Sequence, residues 1–165
     1  MTSKKKILVV QKIHEIGMQL LNNNPNYEYE IIDAEEMVTK VDPEVFKKKI
    51  ENCDGLSIRT EKLTGDIINH GKKLKVISRH GVGYDNIDLA ATKKNNITLT
   101  ITSTANAIAV AEHVMFMLLS ISKGTNMYNK AVKSGNFSDR NKLPKTIELW
   151  KKNILIVGFG RIGQC

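Results

Sequence analysis

The sequence predicts an α/β fold built on an open, mostly parallel sheet, and three observations carry that prediction. Short apolar runs alternate with amphipathic stretches through the first hundred residues. The first, "ILVV", is continuous, as expected of a strand covered on both faces. Caps and turn residues separate the runs in strand–helix order, the arrangement that makes a parallel sheet with crossover helices.

Each element has its own signal. "ILVV" (Ile7 to Val10) is the first strand. A helix follows with Ile13, Ile16, Gly17, Leu20 and Leu21 on one stripe, and "NNNPN" stops it. "YEYEII" (Tyr27 to Ile32) is the second strand. Asp42 is an N-cap followed by Pro43 at the first helical position, where its missing N–H costs nothing. The third strand is Gly55 to Arg59, a short capped helix spans Thr64 to Gly71, and the fourth strand is Leu74 to Ser78. After the loop "RHGVGYDN" come a helix through Leu89 to Lys94 and a fifth strand, Ile97 to Ile101. Residues 1–101 form one predicted domain and 102–165 begin a second. The second opens on a long helix, Asn106 to Ile121, apolar nearly all round and therefore expected to be buried by another surface. A polar connection, helical as far as Ser134 and stopped by Gly135, leads to "ILIVGFGRIG", read as strand, glycine turn and helix start.

Composition bounds the function. Of 165 residues, 41% are hydrophobic and 25% charged, as in a globular protein. The net charge of +8 lies mainly beyond residue 100, where nine Lys and Arg face three Asp and Glu. The lysines come in short runs without interleaved aromatics, which reads as a solvated face rather than a nucleic-acid surface. Cys53 and Cys165 stand in no metal or redox motif, so the expectation is reduced thiols and a cytoplasmic protein. The start "MTSKKKILVV" is too short in apolar residues for a signal peptide, and no stretch reads as a membrane span.

Ligands of open α/β sheets bind at the carboxyl ends of the strands. Three loops fall there: Arg59 and Thr60, "HGVG" (His80 to Gly83), and "GFGRIG" (Gly158 to Gly163). In the last, Gly158 permits the turn, Gly160 lets backbone approach a pyrophosphate, and Gly163 lets helix pack on strand. In "HGVG" the glycines leave N–H groups free to converge on a small anion such as a carboxylate, with Arg59 as a bidentate partner; a plain turn and a surface arginine explain the same residues equally well. Asp85, Asn86 and Asp88 read as caps rather than metal ligands. Glu112 and His113 are adjacent on a helix and point apart, so His113 is expected to pack on the apolar helix.

Together, "GLSIRTEKLTGDII", "LKVISRHGVGYDNIDLAA", "ITLTITSTANAIAVAEHVMFMLL" and "ILIVGFGRIG" resemble the NAD-dependent D-2-hydroxyacid dehydrogenases, a family that includes D-3-phosphoglycerate dehydrogenase and glyoxylate reductase. The resemblance runs through residues 50–165 and implies a flavodoxin-like substrate domain followed by the opening helix and first strand of a Rossmann domain. It implies NAD as cofactor and a small 2-hydroxy or 2-keto acid as substrate, with 3-phosphoglycerate preferred because Arg59 can hold a phosphate. It places the substrate on Arg59 and the N–H groups of Val82 and Gly83. The cofactor would meet Val82, Asn106, Gly158, Gly160, Arg161, Ile162 and Gly163. A homodimer through helix 106–121 is also implied. Ser103 stands where the family usually has a proline. The family's catalytic Arg, Glu and His lie beyond the matched stretch, so no catalytic residue is assigned and the 165 residues alone are expected to be an inactive fragment. The same fold family also contains corepressors, which leaves a dimerising or corepressor-type binding module as the alternative.

Overall fold

In this computed structural model residues 3–32 and 41–165 are described. They divide into two compact units, Met1–Ser103 and Thr104–Cys165.

The first unit holds five parallel strands: β1 (Lys5–Val10), β2 (Tyr27–Ile32), β3 (Gly55–Ile58), β4 (Val76–Arg79) and β5 (Thr98–Ile101). Their order across the sheet is β2-β1-β3-β4-β5. That is the flavodoxin-like order, in which the direction of winding reverses between β1 and β3. Register follows the apolar residues: Leu8 pairs with Leu56, Leu56 with Ile77, and Ile77 with Leu99. Between the strands run α1 (Glu15–Asn22), α2 (Pro43–Ile50), α3 (Gly65–His70) and α4 (Leu89–Lys94).

The helix starts are capped as the sequence predicts. The Asp42 carboxylate accepts from the N–H groups of Glu44 and Val45 at 2.8 and 3.2 Å, Thr64 accepts from Ile67, and Asp88 accepts from Ala91. These acceptors satisfy donors that the first helical turn leaves without partners. The core lies where α2, α3 and α4 cover one face of the sheet, and it joins Leu8, Leu56, Ile58 and Ile77 to Phe46, Ile50, Ile67 and Ile68. Each such side chain contributes about 1.5–3 kcal/mol by leaving water.

One detail differs from the sequence reading. On α1, Met18 is the buried residue, while Ile16 and Leu20 of the predicted stripe are exposed. The helix turns Met18 inward with Ile13, Gly17 and Leu21 partly buried beside it, so Ile16 and Leu20 fall outside. In β4, Ile77 is buried while Val76 and Ser78 are exposed, so this strand is covered on one face.

The second unit contains α5 (Ala107–Ser122), α6 (Thr125–Lys133) and a short 3₁₀ helix, Phe137–Lys142. Between α5 and α6 the chain bends by 64°, through Gly124 in the left-handed conformation at φ 61°. No single helix among the described residues is long and apolar enough to cross a membrane. Residues 154–157, predicted as a strand, pair with no other strand and lie exposed. A strand needs a neighbour to take its backbone hydrogen bonds, and no described segment supplies one.

Candidate functional site

Because all five strands are parallel, their carboxyl ends share one edge, and three loops of the first unit meet there. The first leaves β1 at Gln11, the second leaves β3 at Arg59 and Thr60, and the third leaves β4 at His80 to Gly83. The β1 and β3 loops flank the reversal in winding, where sheets of this order open a crevice for ligands.

The β4 loop is held from both sides. His80 N–H donates to the Ile58 carbonyl at 2.8 Å, and Thr102 N–H donates to the Gly81 carbonyl at 3.1 Å. Gly81 N–H is used locally, donating to the Arg79 carbonyl at 2.9 Å. The N–H groups of Val82 and Gly83 donate to no acceptor among the described residues. Two adjacent free amides on a pinned loop form a concavity suited to a carboxylate or phosphate oxygen.

Two arginines stand at the ends of the neighbouring strands β3 and β4, and the Arg79 guanidinium lies against Gly81 and donates to the His80 carbonyl. Arg59 is exposed at the end of β3, and Arg79 ends β4 in register with Ile58. Burial depresses the Arg79 pKa, and the like charge of Arg59 depresses it further, so the two cations sense one another. No carboxylate pairs with either among the described residues. The Nε of Arg79 donates to Asn86 Oδ1 at 3.4 Å, and Asn86 Nδ2 donates to the Glu61 carbonyl at 2.6 Å. Asn86 therefore joins the β3 and β4 loops, and Asp88 caps α4, which gives structural work to residues that looked like a metal cluster. Arg79 itself escaped the sequence reading because it was taken as part of the loop. The signal available was a second arginine one strand over from Arg59, in the corresponding terminal position.

In the second unit, "GFGRIG" forms a tight turn. Gly158 sits at φ 95°, and a Cβ on Gly163 would lie 2.5 Å from the Gly158 carbonyl oxygen, so only glycine fits at either end. Around Gly160 nothing lies within 4 Å of where a Cβ would be, which leaves its backbone open to approach. A first helical turn follows, with Gln164 N–H donating to the Gly160 carbonyl at 3.1 Å, while Arg161 and Ile162 are exposed. Asn106 stands at the N-cap of α5 without a side-chain capping bond. The geometry fits a pyrophosphate held by backbone N–H groups.

His113 corrects an expectation. It is exposed and lies against Phe116 with ring centroids 5.7 Å apart, because α5 leaves that face unpacked.

An open parallel sheet in this order, with an anion-receptive glycine turn and paired arginines at its carboxyl edge, defines an α/β ligand-binding domain. The chain belongs to the D-isomer specific 2-hydroxyacid dehydrogenase family, whose catalytic-domain pattern matches residues 7–155. It is 36% identical over 160 residues to D-3-phosphoglycerate dehydrogenase of Methanocaldococcus jannaschii, covering 96% of this chain and 29% of that protein. It is 29% identical to the glyoxylate reductase of Thermococcus onnurineus, covering 98% of this chain and 48% of that one. Among solved structures, the NAD+-bound 3-phosphoglycerate dehydrogenase of Entamoeba histolytica superposes with a TM-score of 0.72 at 27% identity, over 98% of this chain and 49% of its own. The chain thus spans half or less of the length of these three relatives.

Proposed function

We propose that this chain is the N-terminal part of an NAD-dependent 2-hydroxyacid dehydrogenase, with D-3-phosphoglycerate as its substrate. The observation that carries the reading is the pairing of two guanidinium groups, Arg59 and Arg79, with the free amides of Val82 and Gly83 at one edge of the sheet. A substrate with both a carboxylate and a phosphate presents two anions. The amides suit the carboxylate, and the arginines suit a dianionic phosphate through charge-assisted, bidentate contacts. A monoanionic acid such as glyoxylate would leave the second guanidinium uncompensated.

When bound, nicotinamide would supply the hydride acceptor. In this chain Gly158, Gly160 and Gly163, with the backbone at Arg161 and Ile162, would hold its pyrophosphate, and the N–H groups of Val82 and Gly83 would hold and orient the substrate carboxylate. The proposal extends to a cytoplasmic location, supported by two free cysteines, and to a homodimer through α5. A corepressor reading has only the basic excess beyond residue 100 behind it.

The test is calorimetric titration of D-3-phosphoglycerate, glycerate and inorganic phosphate into the protein, wild type and Arg79→Ala. Phosphoglycerate binding more tightly than glycerate, with the difference lost in Arg79→Ala, is expected. Equal affinity for the two acids would remove phosphoglycerate as the substrate.

A further inference from the structure

We infer that Gln11 is a positioning residue that presets the Arg59 loop for its anion, an inference that rests on the anion-binding role proposed above for Arg59. Gln11 is the first residue beyond β1, on the β1 side of the winding reversal, and its backbone takes a left-handed conformation at φ 68°. For a glutamine this conformation is unfavourable, and such strain persists only where the surroundings enforce it. The enforcing contacts are on both sides of the residue. Its N–H donates to the Ile32 carbonyl at 3.3 Å, and its side-chain amide closes a two-point clasp on Thr60. Thr60 N–H donates to Gln11 Oε1 at 3.0 Å, and Gln11 Nε2 donates to Thr60 Oγ1, also at 3.0 Å.

Thr60 is the neighbour of Arg59. On its other side the loop is tied again, since the Glu61 carbonyl accepts from Asn86, and Asn86 also accepts from Arg79. Two side-chain amides from distant parts of the chain therefore grip successive residues of one turn, exposed Thr60 and buried Glu61. A left-handed backbone aims the Gln11 side chain across the reversal toward β3. With the turn fixed beforehand, an anion does not have to order it, and that saving appears as affinity.

The test separates positioning from folding. Gln11→Asn keeps a residue suited to the left-handed backbone but is one methylene too short for the clasp. Gln11→Gly relieves the strain and removes the clasp entirely. Inorganic phosphate is titrated into the full 165-residue chain as wild type, both Gln11 variants and Arg59→Ala. Melting temperature and Thr60 amide exchange are measured alongside. The expected result is phosphate binding by the wild type, its loss in Arg59→Ala, and roughly five- to tenfold weaker binding in both Gln11 variants. Melting temperature should be unchanged or higher, and Thr60 exchange faster. Wild-type affinity in either Gln11 variant overturns the inference and leaves the anion site standing. A fall in affinity that tracks a fall in melting temperature in both variants also overturns it, by reducing Gln11 to a folding role. No phosphate binding by the wild type, or binding indifferent to Arg59→Ala, overturns the anion site and this inference together.

Discussion

The guanidinium of Arg79 fills the space beside Gly81: a Cβ on Gly81 would lie 2.8 Å from Arg79 Cζ. Gly81 also has φ 152°, a conformation other residues rarely adopt. The glycine therefore serves the arginine directly, since any side chain there must displace the cation. Gly81→Ala should destabilise the fold by about 1–3 kcal/mol and weaken phosphate binding as well. Gly135, at φ 73° with nothing within 4 Å, is the control: alanine there should cost stability and leave phosphate binding alone. Urea unfolding and calorimetry on both variants check the pair. Equal phosphate affinity in Gly81→Ala and wild type would show that Arg79 does not need this space.

Acid stability should depend on two carboxylates away from the β3 and β4 loops, Glu30 within β2 and Asp54 just before β3. Lys49, burial notwithstanding, and then Lys6 hold the Glu30 carboxyl below its ordinary range. For Asp54 the chief cause is the Lys6 backbone N–H, donated at 3.0 Å, with Lys5 adding to it. Folded-state values below the unfolded ones mean that the stabilisation is present above the unfolded carboxylate pKa of about 4, and is lost as pH falls through the folded value. Unfolding free energy should therefore drop between neutral and acid pH. Asp54→Asn should lower stability at pH 7 by about 1 kcal/mol and flatten that drop. An unchanged slope in the variant would rule Asp54 out as a contributor. At the alkaline end Lys47, pushed up to about 12 by Asp66 and then Glu44, should stay charged past the point where free lysines titrate.

The two thiols should be told apart by reagent. Cys53 is fully buried, its Sγ donates to the Lys49 carbonyl at 3.1 Å, and burial pushes its pKa up. Cys165 is exposed. Since the thiolate is the reactive form, a disulfide reagent at pH 8 should modify one thiol quickly in the native protein and two after denaturation. Two rapid equivalents in the native protein would mean that the core around Lys49 and Phe46 opens on that timescale.

How much of this was legible depended on whether the signal was local. The Asp42–Pro43 cap, the strand Tyr27–Ile32 and the helix Leu89–Lys94 came out with their observed bounds, because cap chemistry and apolar runs act within a few residues. The family was legible for a similar reason, in contiguous strings such as "GVGYDNID". Long-range relationships were not. Nothing in "VVQK" announces that Gln11 grips Thr60, 49 residues away, and nothing in "VISRHG" separates Arg79 from its loop. Face assignment failed where a helix had apolar residues on two sides, as at Ile16 and Leu20. Residues 154–157 have the composition of a buried strand, but composition does not provide a pairing partner.

α5 gives the last prediction. Its Ile108, Met115, Phe116 and Leu119 are exposed on one face of a helix of 16 residues, about 24 Å long. Each such side chain gains about 1.5–3 kcal/mol on full burial, and a specific interface needs on the order of 1,000 Å² in total. Two copies of this helix face, joined by the polar end of neither, can supply most of that area through self-complementary apolar contact, as a two-fold interface requires. Light scattering should therefore give the mass of a dimer at micromolar concentration. Phe116→Asp with Leu119→Asp should return it to 18.5 kDa with little change in the melting of the sheet unit, since neither residue belongs to its core. A wild-type mass of 18.5 kDa at every concentration tested would reject self-association through α5.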